Sequence, residues 1–282
     1  MNNTTAKTTT TTPPRLYTAA RIVLGLIFCL SGLNHVVGLV PMPPMSGDTA
    51  LFWQGLAQSG YFFPLLGIVE LAAGALLAWR RTVPLALVMV APIIVNVVAF
   101  HAVLAPQGLG IAAAVLAAAV YLGHRERRAF AALFTGRSAA RSASVRVVEV
   151  LMGLVFVASG IAGVLGRTPP PSTAGAAAMM RGFDAAGYFI PMLSGIQVLA
   201  GAMLLARRCT GLALMALAPV VIEIVAYRLA VGSVSPRMVL VAAVLLAAEG
   251  WLCFAHRQTL SPLVGEGNGI PWSRAVEGAV RT

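Results

Sequence analysis

Long apolar stretches separated by short polar or basic segments make up most of the chain. Eight of them run over about residues 16–40, 61–79, 83–104, 109–123, 147–166, 188–206, 211–231 and 238–255. Most approach the roughly 20 residues that a helix needs to cross a hydrocarbon core about 30 Å thick. The stretches are rich in Ala and Leu and lack the alternation of a barrel strand. The pattern therefore predicts an all-α fold, a polytopic membrane protein with eight transmembrane helices.

Composition and charge agree with a chain whose main partner is the lipid bilayer. Hydrophobic residues make up 59% of the sequence and charged residues 10%, whereas soluble domains have about 25% charged residues. The net charge of +11 would suggest nucleic acid in a soluble protein, but here the basic residues lie between apolar stretches. Membrane topology explains that distribution, so no nucleic-acid partner is expected.

The basic residues also predict an orientation. With eight crossings, 16 of the 20 lysine and arginine residues would lie on one side of the membrane. The other side would hold four: Arg167, Arg181, Arg228 and Arg237. Positive charge is retained on the cytoplasmic side of a membrane. We therefore expect a multi-pass protein of the bacterial inner (plasma) membrane with both termini in the cytoplasm.

An internal repeat divides the sequence. The segment at 61–74 reappears at 188–201 with shared Tyr, Pro and Gly positions, and Pro92 and Pro219 lie in matching segments. Each copy holds four stretches, so both would insert the same way up, as two parallel four-helix repeats. The predicted domains are a disordered tail (1–14), a first unit (15–134), a basic linker (135–145), a second, diverged unit (146–263) and a C-terminal tail (264–282).

A short amphipathic segment lies between the first two stretches. Large apolar residues at 51, 52, 53 and 56 alternate there with polar ones. The pattern predicts an interfacial helix with Asp48 as its N-cap.

Ionisable and amide side chains inside the predicted spans are the candidate chemistry. A carboxyl group in a membrane span costs about 2.5–3.5 kcal/mol on insertion scales, so it is a functional candidate by default. At 1.5 Å per residue, Glu70 and Asn96 lie about 14 and 12 Å below the same surface, on consecutive spans. We predict that they face each other, with Gln197 and Glu223 as their counterparts in the second copy. The alternative is a protonated glutamate that serves only to join helices.

The residues around this pair favour close helix approach. Gly67 and Gly74 share a helical face with Glu70, a small-residue pattern typical of tight packing in lipid. Pro92 and Pro219 each precede the polar residue by four positions. A proline inside a helix frees a carbonyl group and kinks the helix, which opens room for a polar partner. The alternative is an ordinary transmembrane kink without a functional role.

Several motifs in order resemble the DoxX family of small four-helix membrane proteins. They are Arg21-Ile-Val-Leu-Gly-Leu-Ile-Phe, Ser31-Gly-Leu-Asn34-His35, Tyr61-Phe-Phe-Pro through Glu70, and Ala91-Pro-Ile-Ile-Val-Asn96-Val-Val-Ala-Phe-His101. The resemblance covers about residues 16–134. The second copy departs from it, because Ala162 and Gly163 replace the Asn-His pair and Arg228 replaces His101.

The resemblance implies a link to quinone-dependent respiratory oxidation and a redox-enzyme partner. On that basis quinone is the candidate cofactor, and an enzyme acting alone is not expected. Asn34, His35 and His101 would join Glu70 and Asn96 in a polar pocket, with Arg21 as an anchor on the cytoplasmic side. The two histidines could ligate a haem or metal, but near helix ends they more often form hydrogen bonds, so no metal site is predicted. A small-molecule or proton-coupled transporter and a purely structural membrane partner are the alternatives.

Overall fold

A computed structural model describes residues 15–41, 44–135, 142–167, 170–231 and 235–265. The predicted tail at 1–14, most of the linker at 135–145 and nearly all of the C-terminal tail at 264–282 lie outside these ranges.

The described residues form helices and contain no strand. The helices are α1 (Arg15–Val37), α2 (Gly47–Gln58), α3 (Phe62–Leu77), α4 (Val83–Val103), α5 (Leu109–Arg125), α6 (Arg127–Thr135), α7 (Ala143–Val164), α8 (Ala174–Ala186), α9 (Phe189–Ala206), α10 (Thr210–Ala230), α11 (Pro236–Ala255) and α12 (Arg257–Leu260). Short 3-10 turns follow α3 at Arg80–Thr82, α4 at Pro106–Gly108 and α12 at Ser261–Val264.

The lengths and compositions of these helices confirm an all-α, multi-pass membrane protein. Within the described ranges, seven helices are long and apolar enough to cross a bilayer: α1, α4, α5, α7, α9, α10 and α11. Helix α3 passes the same test only together with α2, to which it is joined by a bend of 86°. The predicted second span is therefore a short helix that continues a broken segment.

The long helices pack as two bundles with the same neighbours. In the first bundle α1 contacts α3 and α5, and α4 contacts α3 and α5. In the second bundle α7 contacts α9 and α11, and α10 contacts α9 and α11. We call the end of the bundles that carries α6, α12 and Arg80–Thr82 the basic face, and the end that carries α2 and α8 the opposite face.

The two short helices at the opposite face join the bundles. Helices α2 and α8 cross where Gly55 meets Gly182, and a Cβ atom built on Gly55 would lie 2.7 Å from the carbonyl oxygen of Ala178. Helix α8 was not predicted, although it corresponds to the predicted interfacial helix α2 of the first unit. The predicted N-cap of α2 is wrong: Ser46 occupies that position and Asp48 lies in the first turn.

Candidate functional site

A histidine–carboxylate pair lies inside the first bundle near the opposite face. The Nδ1 atom of His35, in the last turn of α1, is 2.8 Å from Oε2 of Glu70 on α3. Glu70 is buried, while the His35 side chain keeps 15% of its surface exposed. A carboxylate on one ring nitrogen fixes the imidazole, so Nε2 is left for a proton or a ligand.

Two aromatic rings extend this pair toward the bundle interface. The ring of His35 stacks on Phe63 at a centroid distance of 5.3 Å, and Phe63 stacks on Trp53 at 5.1 Å with an interplanar angle of 11°. The indole Nε1 of Trp53 is buried and has no hydrogen-bond acceptor among the described residues. Because a buried donor without an acceptor is costly, this N–H is available to a ligand oxygen.

Glycines bring α1 and α3 close enough to form the pair. A Cβ atom on Gly32 would lie 2.6 Å from the carbonyl oxygen of Gly67, and one on Gly74 would lie 2.7 Å from that of Gly25. Any larger residue would push the helices apart. The small-residue face predicted around Glu70 therefore packs against α1, which also carries His35.

The predicted pairing of Glu70 with Asn96 is not formed. Asn96 lies on the side of α4 that meets the other bundle, and its Oδ1 accepts a hydrogen bond from the hydroxyl of Tyr188 at 3.0 Å. The prediction rested on the distance of each residue from the end of its helix. That distance carries no information about the rotation of α4 about its axis, which decides the helix that Asn96 faces.

A matching bond runs the other way between the bundles. The hydroxyl of Tyr61, just before α3, donates to Oε1 of Glu223 on α10 at 2.6 Å. Tyr61 and Asn96 in the first bundle correspond to Tyr188 and Glu223 in the second. Each bundle thus supplies one phenol and one acceptor to the other. Both tyrosines were expected only as shared positions of the repeat, although their recurrence was the signal that could have identified them as partners.

The remaining first-unit candidates lie outside this pair. Asn34 Oδ1 accepts from the backbone N–H of Val40, so it closes the end of α1. His101 Nδ1 lies 3.0 Å from the carbonyl oxygen of Ala105, at the end of α4. Arg21 donates from Nη1 to the carbonyl oxygen of Ala78 at the C-cap of α3, near the basic face.

The second bundle carries no histidine–carboxylate pair at the equivalent place. Gln197 is buried, and its Oε1 accepts no hydrogen bond from the described residues. Gly163 stands where His35 would be, and a Cβ atom on it would lie 2.2 Å from Oγ of Ser194. The guanidinium carbon of Arg228 lies 5.6 Å from the ring centroid of Tyr227.

A second buried carboxyl group that was not among the predicted site residues lies near the basic face of the second bundle. Glu149 is fully buried on α7; its Oε1 is 2.8 Å from Nε2 of His256, and its Oε2 is 3.9 Å from Nε of Arg207. The basic-face end of the first bundle is joined differently, by the hydroxyl of Tyr17 on Glu126. These contacts fix helix ends beside the membrane surface.

An apolar groove opens between the bundles in the half of the membrane next to the basic face. Its volume is about 810 Å³, and it is lined by residues from α4, α5, α6, α9 and α10: Leu87, Val88, Ala91, Pro92, Ile94, Val95, Leu116, Ala119, Val120, Gly123, Arg127, Phe130, Ala131, Leu133, Phe134, Ile196, Leu212, Met215, Ala216 and Pro219. Both mid-helix prolines line it, and Arg127 is its single charged residue.

The comparisons with known proteins leave the chain without an assigned relative. Among the residues that the structure describes, no group of three or more His, Cys, Asp or Glu side chains could hold a metal ion. No family model, no curated protein and no solved structure matches the chain.

Proposed function

We propose that this protein is a DoxX-like accessory protein of the bacterial inner membrane that interacts with quinone and serves a redox-enzyme partner. The observation that carries the proposal is the His35–Glu70 pair, 2.8 Å apart, beside a stack of aromatic rings. In this proposal the chain binds the quinone and handles its protons, and the partner enzyme exchanges the electrons.

The pair suits the proton chemistry of a quinone. Quinone oxygens accept hydrogen bonds and take up protons on reduction. A histidine whose Nδ1 is held by a carboxylate can take or give a proton at Nε2, because the carboxylate stabilises the imidazolium form. His35 is partly exposed, so a ligand from the bilayer can reach its ring.

The aromatic rings suit the shape of the head group. A flat ring can lie across the edges of the stacked rings of His35, Phe63 and Trp53, and the indole N–H of Trp53, which has no acceptor among the described residues, can donate to one of its oxygens. The site thus offers a flat apolar surface, a fixed donor and a proton carrier within one short stretch of the bundle.

Binding can be tested with the fluorescence of Trp53. In the full-length protein, Trp79, Trp251 and Trp272 are replaced by Phe, so that Trp53 is the remaining tryptophan. Titration with a short-chain quinone should quench its emission to a plateau. Glu70→Gln in this background should weaken binding about tenfold, the equivalent of losing one charge-assisted hydrogen bond.

Glu249→Gln is the matched control, because Glu249 is also buried in a span but lies in the second bundle. This variant should bind as the parent does. Quenching that never saturates, together with purified protein that contains no extractable quinone, would contradict the proposal.

The proposal also includes the membrane topology of the chain and its origin by duplication of a four-helix unit. Both termini would be cytoplasmic, and residues 15–134 and 146–263 would be two copies of one parallel four-helix unit; the recurring helix order and neighbour contacts support the duplication. Reporter fusions after Arg81 and Arg141 should both read cytoplasmic, and one after Met45 periplasmic. A periplasmic reading at Arg141 would remove the four-plus-four arrangement.

A proton-coupled transporter is the competing function, and one observation favours it. Glu223 lies between two similar bundles, where relative movement would expose it to either side. In proteoliposomes a transporter would lose proton-linked uptake on Glu223→Gln and keep it on Glu70→Gln. If the protein binds quinone, Glu70→Gln should weaken quinone binding in the fluorescence assay and Glu223→Gln should leave it unchanged. A purely structural partner would respond to neither substitution.

A further inference from the structure

The apolar groove between the bundles is a second candidate binding site, separate from the His35–Glu70 pair. Along α4 it extends from Leu87 to Val95, about 12 Å at 1.5 Å per residue. One leaflet of a bilayer has about 15 Å of hydrocarbon, half of the roughly 30 Å core. The groove therefore covers about four-fifths of the depth of one leaflet, and it begins at the basic face.

The lining determines what can fill this space. Small residues such as Ala91, Gly123 and Ala216 leave a gap between helices that touch only sparsely. The walls offer almost no hydrogen-bonding groups, so water gains no partners there, and an empty gap loses the dispersion contacts of every atom around it. A flexible hydrocarbon chain entering from the surrounding bilayer satisfies both conditions.

The positive charge of Arg127 at the surface end of the groove determines which lipid head group fits there. Arg127, the first residue of α6, is exposed, and its guanidinium contacts the ring and the backbone carbonyl of His124. The adjacent carboxylate, Glu126, accepts the hydroxyl of Tyr17. A guanidinium at the surface end of an apolar groove complements a phosphate attached to an acyl chain, and basic sites between helices bind anionic lipid head groups in this way.

We propose that the groove binds an anionic phospholipid from the leaflet at the basic face, with an acyl chain between α4 and α10 and its phosphate on Arg127. The lipid fills the gap where the bundles separate and so joins them at the basic face, as α2 and α8 join them at the opposite face. This site does not depend on quinone binding.

Lipid retention tests the proposal in the full-length protein. The protein is reconstituted into nanodiscs of equal phosphatidylglycerol and phosphatidylcholine, extracted in mild detergent and passed through a sizing column, and the retained lipids are measured by mass spectrometry. Phosphatidylglycerol should be retained in preference to phosphatidylcholine. Arg127→Gln should reduce this preference about fivefold, and Arg127→Lys should restore most of it.

Two matched controls separate the groove from the general surface. Arg257 is the first residue of α12, the counterpart of Arg127 in the second bundle, and it does not line the groove, so Arg257→Gln should retain the preference. Gly123→Leu should expel the acyl chain, whereas Gly110→Leu on the same helix should not, because added Cβ atoms meet open space at both positions but only Gly123 lines the groove.

Several results would overturn the proposal. Equal retention of the two lipids, an equal loss in the Arg127 and Arg257 variants, or unchanged retention in Gly123→Leu would each remove the lipid site. Release of the retained phosphatidylglycerol by inorganic phosphate alone would show that Arg127 binds a free anion and not a lipid. Displacement of phosphatidylglycerol by a quinone would assign the groove to that ligand.

Discussion

The two bundles hold the same helix pair at the same place, yet only one of them carries an ionisable pair there. In the first bundle Gly67 leaves room for the side chain of His35, which reaches Glu70. In the second bundle Ser194 fills that room against Gly163, and the side-chain oxygen of Gln197 has no hydrogen-bond donor among the described residues. The backbone arrangement therefore does not require the polar pair.

The comparison separates packing from chemistry. Both bundles keep glycines where α1 meets α3 and where α7 meets α9, and these allow backbones to touch. In lipid, where apolar burial does not drive helices together, such contact supplies much of the association energy. The side chains that stand beside the contact were free to change, provided that one residue of each facing pair stayed small.

The largest expected effect comes from breaking the contact that the bundles share. Gly32→Ala places a Cβ atom 2.6 Å from the Gly67 carbonyl oxygen, and Gly160→Ala does the same against Ser194. Each should lower the free energy of unfolding by about 1–3 kcal/mol, as overpacking does. Unfolding in mild detergent with increasing SDS measures the change in the free energy of unfolding.

Gly110→Ala is the control for this substitution, because its new Cβ atom meets nothing within 4 Å. It should raise stability by up to about 1 kcal/mol through helix propensity. Equal effects at Gly32 and Gly110 would show that the close contact between α1 and α3 carries no energy.

The next effect distinguishes the bundles. Glu70→Leu leaves Nδ1 of His35 without its partner and should cost about 1–3 kcal/mol, whereas Glu70→Gln keeps an acceptor and should cost less. Gln197→Leu at the equivalent position removes a buried oxygen that accepts no hydrogen bond from the part of the chain that the structure describes, so it should raise stability slightly. A loss at Gln197 as large as that at Glu70 would show that the second bundle has a hidden partner for the amide.

The bonds between the bundles should give a smaller difference. Tyr61→Phe and Tyr188→Phe each remove one hydrogen bond and should cost about 0.5–1.5 kcal/mol, with the larger loss at Tyr61, whose bond to a carboxyl group is shorter. Double-mutant cycles with Glu223→Ala and Asn96→Ala, which remove the acceptors, measure each coupling. Zero coupling in both cycles would mean that α2 and α8 alone join the bundles at this face.

The sequence predicted the features that depend only on a residue's position along the chain, namely where helices begin and end and which residues lie inside them. The helix ends lie within a few residues of the predicted ones, and Glu70 is buried within α3, inside the apolar stretch in which it was predicted to lie. Rotation about a helix axis has no such rule, so Asn96 was paired with the wrong helix. The bond from Tyr61 to Glu223 spans most of the chain and depends on how the bundles dock, which local periodicity does not encode.

The smallest expected change is in a triple variant that transfers the first bundle's pair to the second. Gly163→His alone should destabilise the protein, because the new side chain meets Ser194 Oγ. Adding Ser194→Gly and Gln197→Glu recreates the residues at His35, Gly67 and Glu70. The free energy of unfolding should return to within about 1 kcal/mol of the parent, because the overlap with the serine is relieved and the new carboxylate gives the imidazole a hydrogen-bond partner. Failure of the triple variant to recover would mean that the helices of the two bundles are set differently.

The triple variant also separates the pair from its aromatic surroundings. Met180 and Ile190 stand where the first bundle has Trp53 and Phe63, so the transferred pair lacks the ring stack and the indole donor. If the rings are needed to hold a quinone, the triple variant should regain stability without adding a second quinone site, and quinone should still bind at one equivalent per chain. A second equivalent would show that a histidine–carboxylate pair in this packing is sufficient by itself.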